Sequence, residues 1–164
     1  PALPRIPHEL FKRILAFFRY YTEQEHPLEV MVQIYWDSLK KRFLVVVPYQ
    51  HVSGVEIRVP EEQPGQLDEE RFYYYADVHS HNIMPAFFSE QDNRDELATR
   101  LYIVVGRLQR PSPEIRARIS NGGKFMEIPL KDVVEVSPAE FPEYWTASVA
   151  PSFTANRKGN ALYG

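Results

Sequence analysis

The chain has 164 residues, 44% of them hydrophobic, and a net charge of −3. This length suits one domain with a sizeable core, the composition excludes a disordered chain, and the charge gives no electrostatic reason to expect nucleic acid or an anionic membrane surface. There is no cysteine, which excludes disulfides and thiolate chemistry and leaves nitrogen and oxygen donors as the ligands for any metal.

No apolar run reaches membrane-spanning length, and the opening PALPRIPHEL lacks the apolar stretch of a secretion signal. A soluble cytoplasmic protein is the expectation. IPHELFKRILAFFRYYTEQ reads as a helix, with Pro7 suited to its first turn and Leu10, Phe11, Ile14, Leu15, Phe18 and Tyr21 recurring on one face. LEVMVQIYW (28–36) is rich in strand formers, and DSLKK makes a turn. RFLVVVPY (42–49) has the unbroken apolar run of a strand buried on both faces. HVSGVEIRV (51–59) alternates, with Val55, Ile57 and Val59 on one side, as a half-exposed strand does.

PEEQPGQLDEE (60–70) holds two prolines, one glycine and five acids. It reads as a solvated loop, with a patch for a basic partner as the rarer alternative. RFYYYADVHSH returns as a strand, SEQDNRDELATR reads as a helix whose Ser89 and Asp92 have capping-box spacing, and LYIVV (101–105) reads as a buried strand. EIRARIS and KFMEIPL flank NGG, a hairpin signal. This order predicts an α/β or α+β domain over residues 1–136, a mixed sheet with helices packed on it. From about Ser137 the chain carries three prolines and five aromatics without periodicity, as expected of a surface arm over 137–164, with a partner-binding tail or a linker as the other readings.

DVHSHNIMPAFFSEQD (77–92) is the stretch with chemistry in it. Residues i and i+2 of a strand point the same way, about 6.6 Å apart, so His79 and His81 can share an ion. Asp77, Tyr75 and Tyr73 are expected on that same side. Asp92, in the first turn of the next helix, can supply a third ligand. Two neutral imidazoles and a carboxylate suit zinc and leave one position open, as in a catalytic site. A paired His-x-His also arises by chance, and Ser-x-x-Asp is a common helix start. Other His-x-His patterns fail: residue 83 is Ile, where metallo-β-lactamases need Asp and histidine-triad hydrolases need His, and the helix of His-Glu-x-x-His proteases is missing.

His-x-His, ten residues, then Asp with Ser three before it resembles the JAMM motif of the JAB/MPN/Mov34 metalloproteases. The likeness spans residues 7 to about 135, and Asn82 and Phe88 stand where many members have Pro. HSHN…AFFS looks similar to a bacterial and phage or plasmid branch. The resemblance implies a cytidine-deaminase-like mixed sheet flanked by helices, and one zinc ion held by His79, His81 and Asp92 with water as the fourth ligand. It also implies an upstream glutamate as general base. Glu29, opening the strand in EHPLEVMVQIYW, fits that part, and Glu23 and Glu25 compete less well at the end of the helix. Glu29 would take the proton of a water acidified from about 15.7 to about 7 and return it to the leaving amine. Ser89 would donate to the oxyanion, worth roughly 3 kcal/mol, and Asp77 or Ser80 would orient an imidazole. The implied substrate is a peptide or isopeptide bond, often after the tail of a ubiquitin-like or sulfur-carrier protein. A catalytically silent MPN-type scaffold and a zinc hydrolase of a small amide stay open as alternatives.

Overall fold

The computed structural model describes residues 3–135 and 141–152. Helix α1 (His8–Thr22) opens the fold and turns Phe11, Ile14, Phe18 and Thr22 inward. Pro7 stands just ahead of the helix, where its carbonyl accepts the N–H of Phe11 at 3.1 Å. The strands are β1 (Met31–Asp37), β2 (Arg42–Val46), β3 (His51–Val52), β4 (Ile57–Arg58) and β5 (Phe72–Ser80). After helix α2 (Glu90–Asp95) come β6 (Arg100–Gly106), β7 (Glu114–Asn121) and β8 (Lys124–Ile128).

Six strands form one sheet in the order β2-β1-β5-β6-β7-β8, and β3 and β4 form a separate pair. Every neighbouring pair is antiparallel except β5 and β6, which run parallel with α2 in their connection. This is the mixed α/β architecture expected from the element order. One face of the sheet supplies Val32 and Ile34, Ala76 and Val78, Ile103 and Val105, and Ala117 to a core shared with Phe11, Ile14 and Phe18 of α1. Truncating the fully buried Phe18 to alanine would cost about 3–5 kcal/mol. Ile6 pairs with Val134, so the two ends of the folded unit are stitched together. Among the described residues, no helix is long and apolar enough to cross a membrane.

Several sequence expectations change. The apolar run 42–49 is not buried on both faces: its strand, Arg42–Val46, lies at the sheet edge, with Phe43 and Val45 packed on the core while Val46 and Val47 face segment 60–70 across a cleft. HVSGVEIRV is no single strand but a hairpin of two two-residue strands, with Val55 85% exposed at its tip. The Ser53 hydroxyl accepts the N–H groups of Val55 and Glu56, and that side-chain bonding makes the turn. The second helix stops at Asp95, because Glu96 leaves helical geometry (ψ 62) and turns its side chain to Arg118.

The NGG hairpin forms as expected, with Gly122 and Gly123 both at positive φ (61° and 84°). The arm expected over 137–164 lies partly outside the described residues. Its described part holds a 3₁₀ turn, Glu143–Ser148, beside which Phe141 and Trp145 stack with ring centroids 6.2 Å apart.

Candidate metal centre

The C-terminal ends of β5 and β6 build the site. His79 sits in register between Met31 and Val104, and the His81 N–H continues the ladder to the Val105 carbonyl at 2.7 Å. The chain then turns at Asn82, which holds a left-handed φ of 52°, a region Asn tolerates and Pro cannot adopt. Asn82 is buried, its Oδ1 accepts from the Thr22 hydroxyl, and its Nδ2 donates to Gly54 O. The residue that departs from the commoner motif therefore ties α1 and the β3–β4 hairpin to the site. The following loop crosses β6 at Gly106, where a Cβ would stand 2.3 Å from the Met84 carbonyl oxygen. Only glycine permits that approach.

The side chains converge. The Nε2 atoms of His79 and His81 face each other at 3.2 Å. Asp92 places Oδ1 3.5 Å from His79 Nε2 and Oδ2 3.9 Å from His81 Nε2, and the three ligand atoms lie within 4.8 Å of one another. Donors bound tetrahedrally at about 2.0–2.1 Å stand about 3.3 Å apart, so the imidazole spacing already fits a single ion and the carboxylate has to move inward to join it. Two neutral nitrogens and one oxygen suit zinc.

Capping and ligation divide Asp92 between them. Ser89 N–H and Oγ both donate to Oδ2, at 2.7 and 2.8 Å, and Asp92 N–H donates back to Ser89 Oγ at 3.1 Å. The capping box read from the sequence is thus present, and it leaves Oδ1 toward His79. Phe87 packs edge-on against the His81 ring at 4.8 Å.

Asp77 and Ser80 do not take the orienting role. Asp77 accepts the Tyr74 hydroxyl, and Ser80, on the core face, accepts the N–H of Asn82. Tyr73 and Tyr75 do not share the histidine side either. A bulge between Ile34 and Tyr35 shifts the register. Tyr75 then packs on the core beside Phe43, while Tyr74 joins Asp77 on the metal side.

Glu29 lies two residues ahead of β1 rather than opening it, its N–H bonded to Ser53 O at 2.8 Å. Its side chain lines the same cleft as His79, His81, Ser89 and Asp92, a space of about 680 Å³. Burial pushes its carboxyl up to about 7, with the charge on His79 opposing and that on Asp92 adding. Burial also opposes charge on the histidines. It drives His81, with the neighbouring charge of His79, down to about 4. In His79 the hydrogen bond and charge of Asp92 outweigh burial and raise it. In Asp92, burial is overcome by His79 and the two Ser89 bonds, which hold it well below the ordinary carboxylate range.

Sequence reasoning missed the support behind Asp92. Glu96, pushed up to about 7 by burial despite its cation, accepts from Arg118 Nε and Nη2 at 3.3 and 3.2 Å. The guanidinium lies between the rings of Phe88 and Phe125 (4.0 and 3.8 Å) and donates to Asn93 Oδ1. The second motif departure, Phe88, is therefore one face of this clamp. The four-residue step from Asp92 to Glu96 was the available signal, since a helix continued through 96 would put both on one side.

A sequence model of prokaryotic homologs of the JAB domain matches residues 11–120. The chain belongs to this family. JAB domains include metalloisopeptidases. No curated protein matches the chain. Among solved structures, the JAB domain is similar to a protein from Desulfitobacterium hafniense known from its solution structure, at 14% identity and a TM-score of 0.46, over 76% of this chain and 88% of that one.

Proposed function

We propose that this JAB domain is a zinc-dependent peptidase that hydrolyses a peptide or isopeptide amide. The observation that carries the reading is the convergence of His79, His81 and Asp92 within 4.8 Å in a cleft that Glu29 also lines. Zinc, when bound, supplies a Lewis acid for the carbonyl and acidifies water. The chain's own residues do the remainder. Glu29, with its carboxyl near 7, is matched to neutral pH as a general base. It takes a proton from the attacking water and delivers it to the leaving amine.

Ser89 holds Asp92 Oδ2 through its backbone N–H as well as its hydroxyl. The hydroxyl can therefore turn to a developing oxyanion without releasing the carboxylate, and one such donor is worth roughly 3 kcal/mol. A cleft of about 680 Å³ has room for a chain segment, which favours a macromolecular substrate over a small amide. The substrate class we infer is an extended protein tail of ubiquitin-like or sulfur-carrier type. β4, which among the described residues pairs only with β3 and lines the cleft, offers it an open strand edge.

Zinc content and cleavage of peptide and ubiquitin-like fusions, in wild type, His81→Ala and Glu29→Gln, test the reading. The expectation is one zinc per chain in wild type, loss of zinc in His81→Ala, and zinc without turnover in Glu29→Gln. A wild-type protein that takes up no zinc, or full turnover in Glu29→Gln, overturns it.

A further inference from the structure

Resting on the metal-binding half of the peptidase reading, we propose that Arg118 is a positioning residue for the metal centre: it carries the placement of the sheet across to Asp92 and so sets the affinity for the ion. The histidines are fixed by strand pairing, with His79 in register with Met31 and Val104. Helix α2, which carries Asp92, has little of its own to hold it in place. It has six residues, none of them buried, and a helix this short is not stable alone in water.

Arg118 joins the two. It projects from β7 in register with Tyr102 of β6, and Tyr102 is in register with Asp77, two residues ahead of His79. Its side chain, buried with the residue only 5% exposed, reaches both sides of Asp92. The guanidinium lies over the ring of Phe88, just before the cap. It donates to Asn93 Oδ1 at 2.8 Å and twice to Glu96 Oε1 one turn on. The bonds from Gly122 N–H to Leu97 O and from the Tyr102 hydroxyl to Ala98 O hold the chain only beyond the helix.

Charge and shape predict different results. The ion is a dication, so a cation near it acts against binding. A role for charge alone therefore makes lysine equivalent to arginine at 118. A role for shape does not, because lysine lacks the planar fork and the ring stacking. Groups that orient a ligand from behind are worth about 10–100-fold in metal affinity.

The test measures zinc affinity by chelator competition, and the visible spectrum with cobalt(II) in place of zinc, in wild type and Arg118→Lys. The pair Arg118→Met with Glu96→Gln serves as a second variant. It removes one cation and one anion together and strands neither, should the lysine variant fold poorly. Both are expected to bind zinc about 10-fold or more weakly, with altered cobalt bands. Arg116→Met, which breaks an exposed pair with Glu127 on the same strand, is expected to match wild type in both readouts. In the metal-free protein, amide exchange is expected to quicken over 89–96 in Arg118→Lys and to stay unchanged in β5 and β6. Wild-type zinc affinity in Arg118→Lys overturns the proposal, as does lower stability with zinc affinity and cobalt spectrum unmoved. If wild type takes up no zinc, the peptidase reading falls, and unchanged exchange over 89–96 would still overturn the placement of Asp92 by Arg118.

Discussion

The two walls of the cleft are built differently. The wall carrying the ligands rests on β5, β6 and α2, where His81 and Asn82 are buried, Asp92 is held by three bonds to Ser89, and Glu96 pairs with a ring-clamped Arg118. The facing wall is a hairpin with two register pairs and an exposed tip. It is tethered by Gln50 to Met31, by Ser53 to Glu29 and by Gly54 to Asn82. The candidate metal-holding groups sit on the sheet and the capped start of α2, and the hairpin facing them is held by fewer bonds.

The largest way to break the comparison is on the rigid wall. His81→Ala should abolish zinc uptake and reduce turnover to background, read by metal analysis and peptide cleavage. Glu29→Gln should keep zinc and lower kcat by about 10²–10⁴-fold. The same variant carries a pH signature in the metal-free protein. The Glu29 carboxyl is raised from 4.5 to about 7 in the folded state, so the fold binds more protons than the unfolded chain between those values and loses stability as pH rises through them. Glutamine removes that loss, so thermal melts should show Glu29→Gln gaining on wild type at pH 8 and not at pH 4.

Arg118→Ala comes next. It strands a carboxylate whose side chain is only 8% exposed and should destabilise by about 3 kcal/mol, measured by urea unfolding, while Arg118→Met with Glu96→Gln recovers part of the loss. The smallest effect is expected from Asn82→Gly. It keeps the positive φ but loses the Thr22 and Gly54 bonds. Amide exchange should quicken over 51–58 and leave the six-stranded sheet unchanged.

The convergence of His79, His81 and Asp92 was legible in the sequence because each obeys a strong local rule: strand alternation for the two histidines, and capping-box spacing to Ser89 for Asp92. The helix, the buried β6 and the NGG hairpin were legible for the same reason. The side-chain facing in RFYYYADV was not, since three consecutive tyrosines carry no alternation from which a bulge could be read. RFLVVV misled because its second face meets loop 60–70 only across an open cleft, leaving Val47 52% exposed. Arg118 was invisible because its partners Glu96, Phe88 and Phe125 come from three separate segments.

The division of Asp92 between its two oxygens has one more effect. With Oδ2 anchored by Ser89, the aspartate is already aimed before any ion arrives. Chelation and reloading should therefore proceed on the folded chain, with far-ultraviolet dichroism unchanged throughout. On this expectation the site empties and refills like a socket, unlike small zinc domains that collapse when stripped.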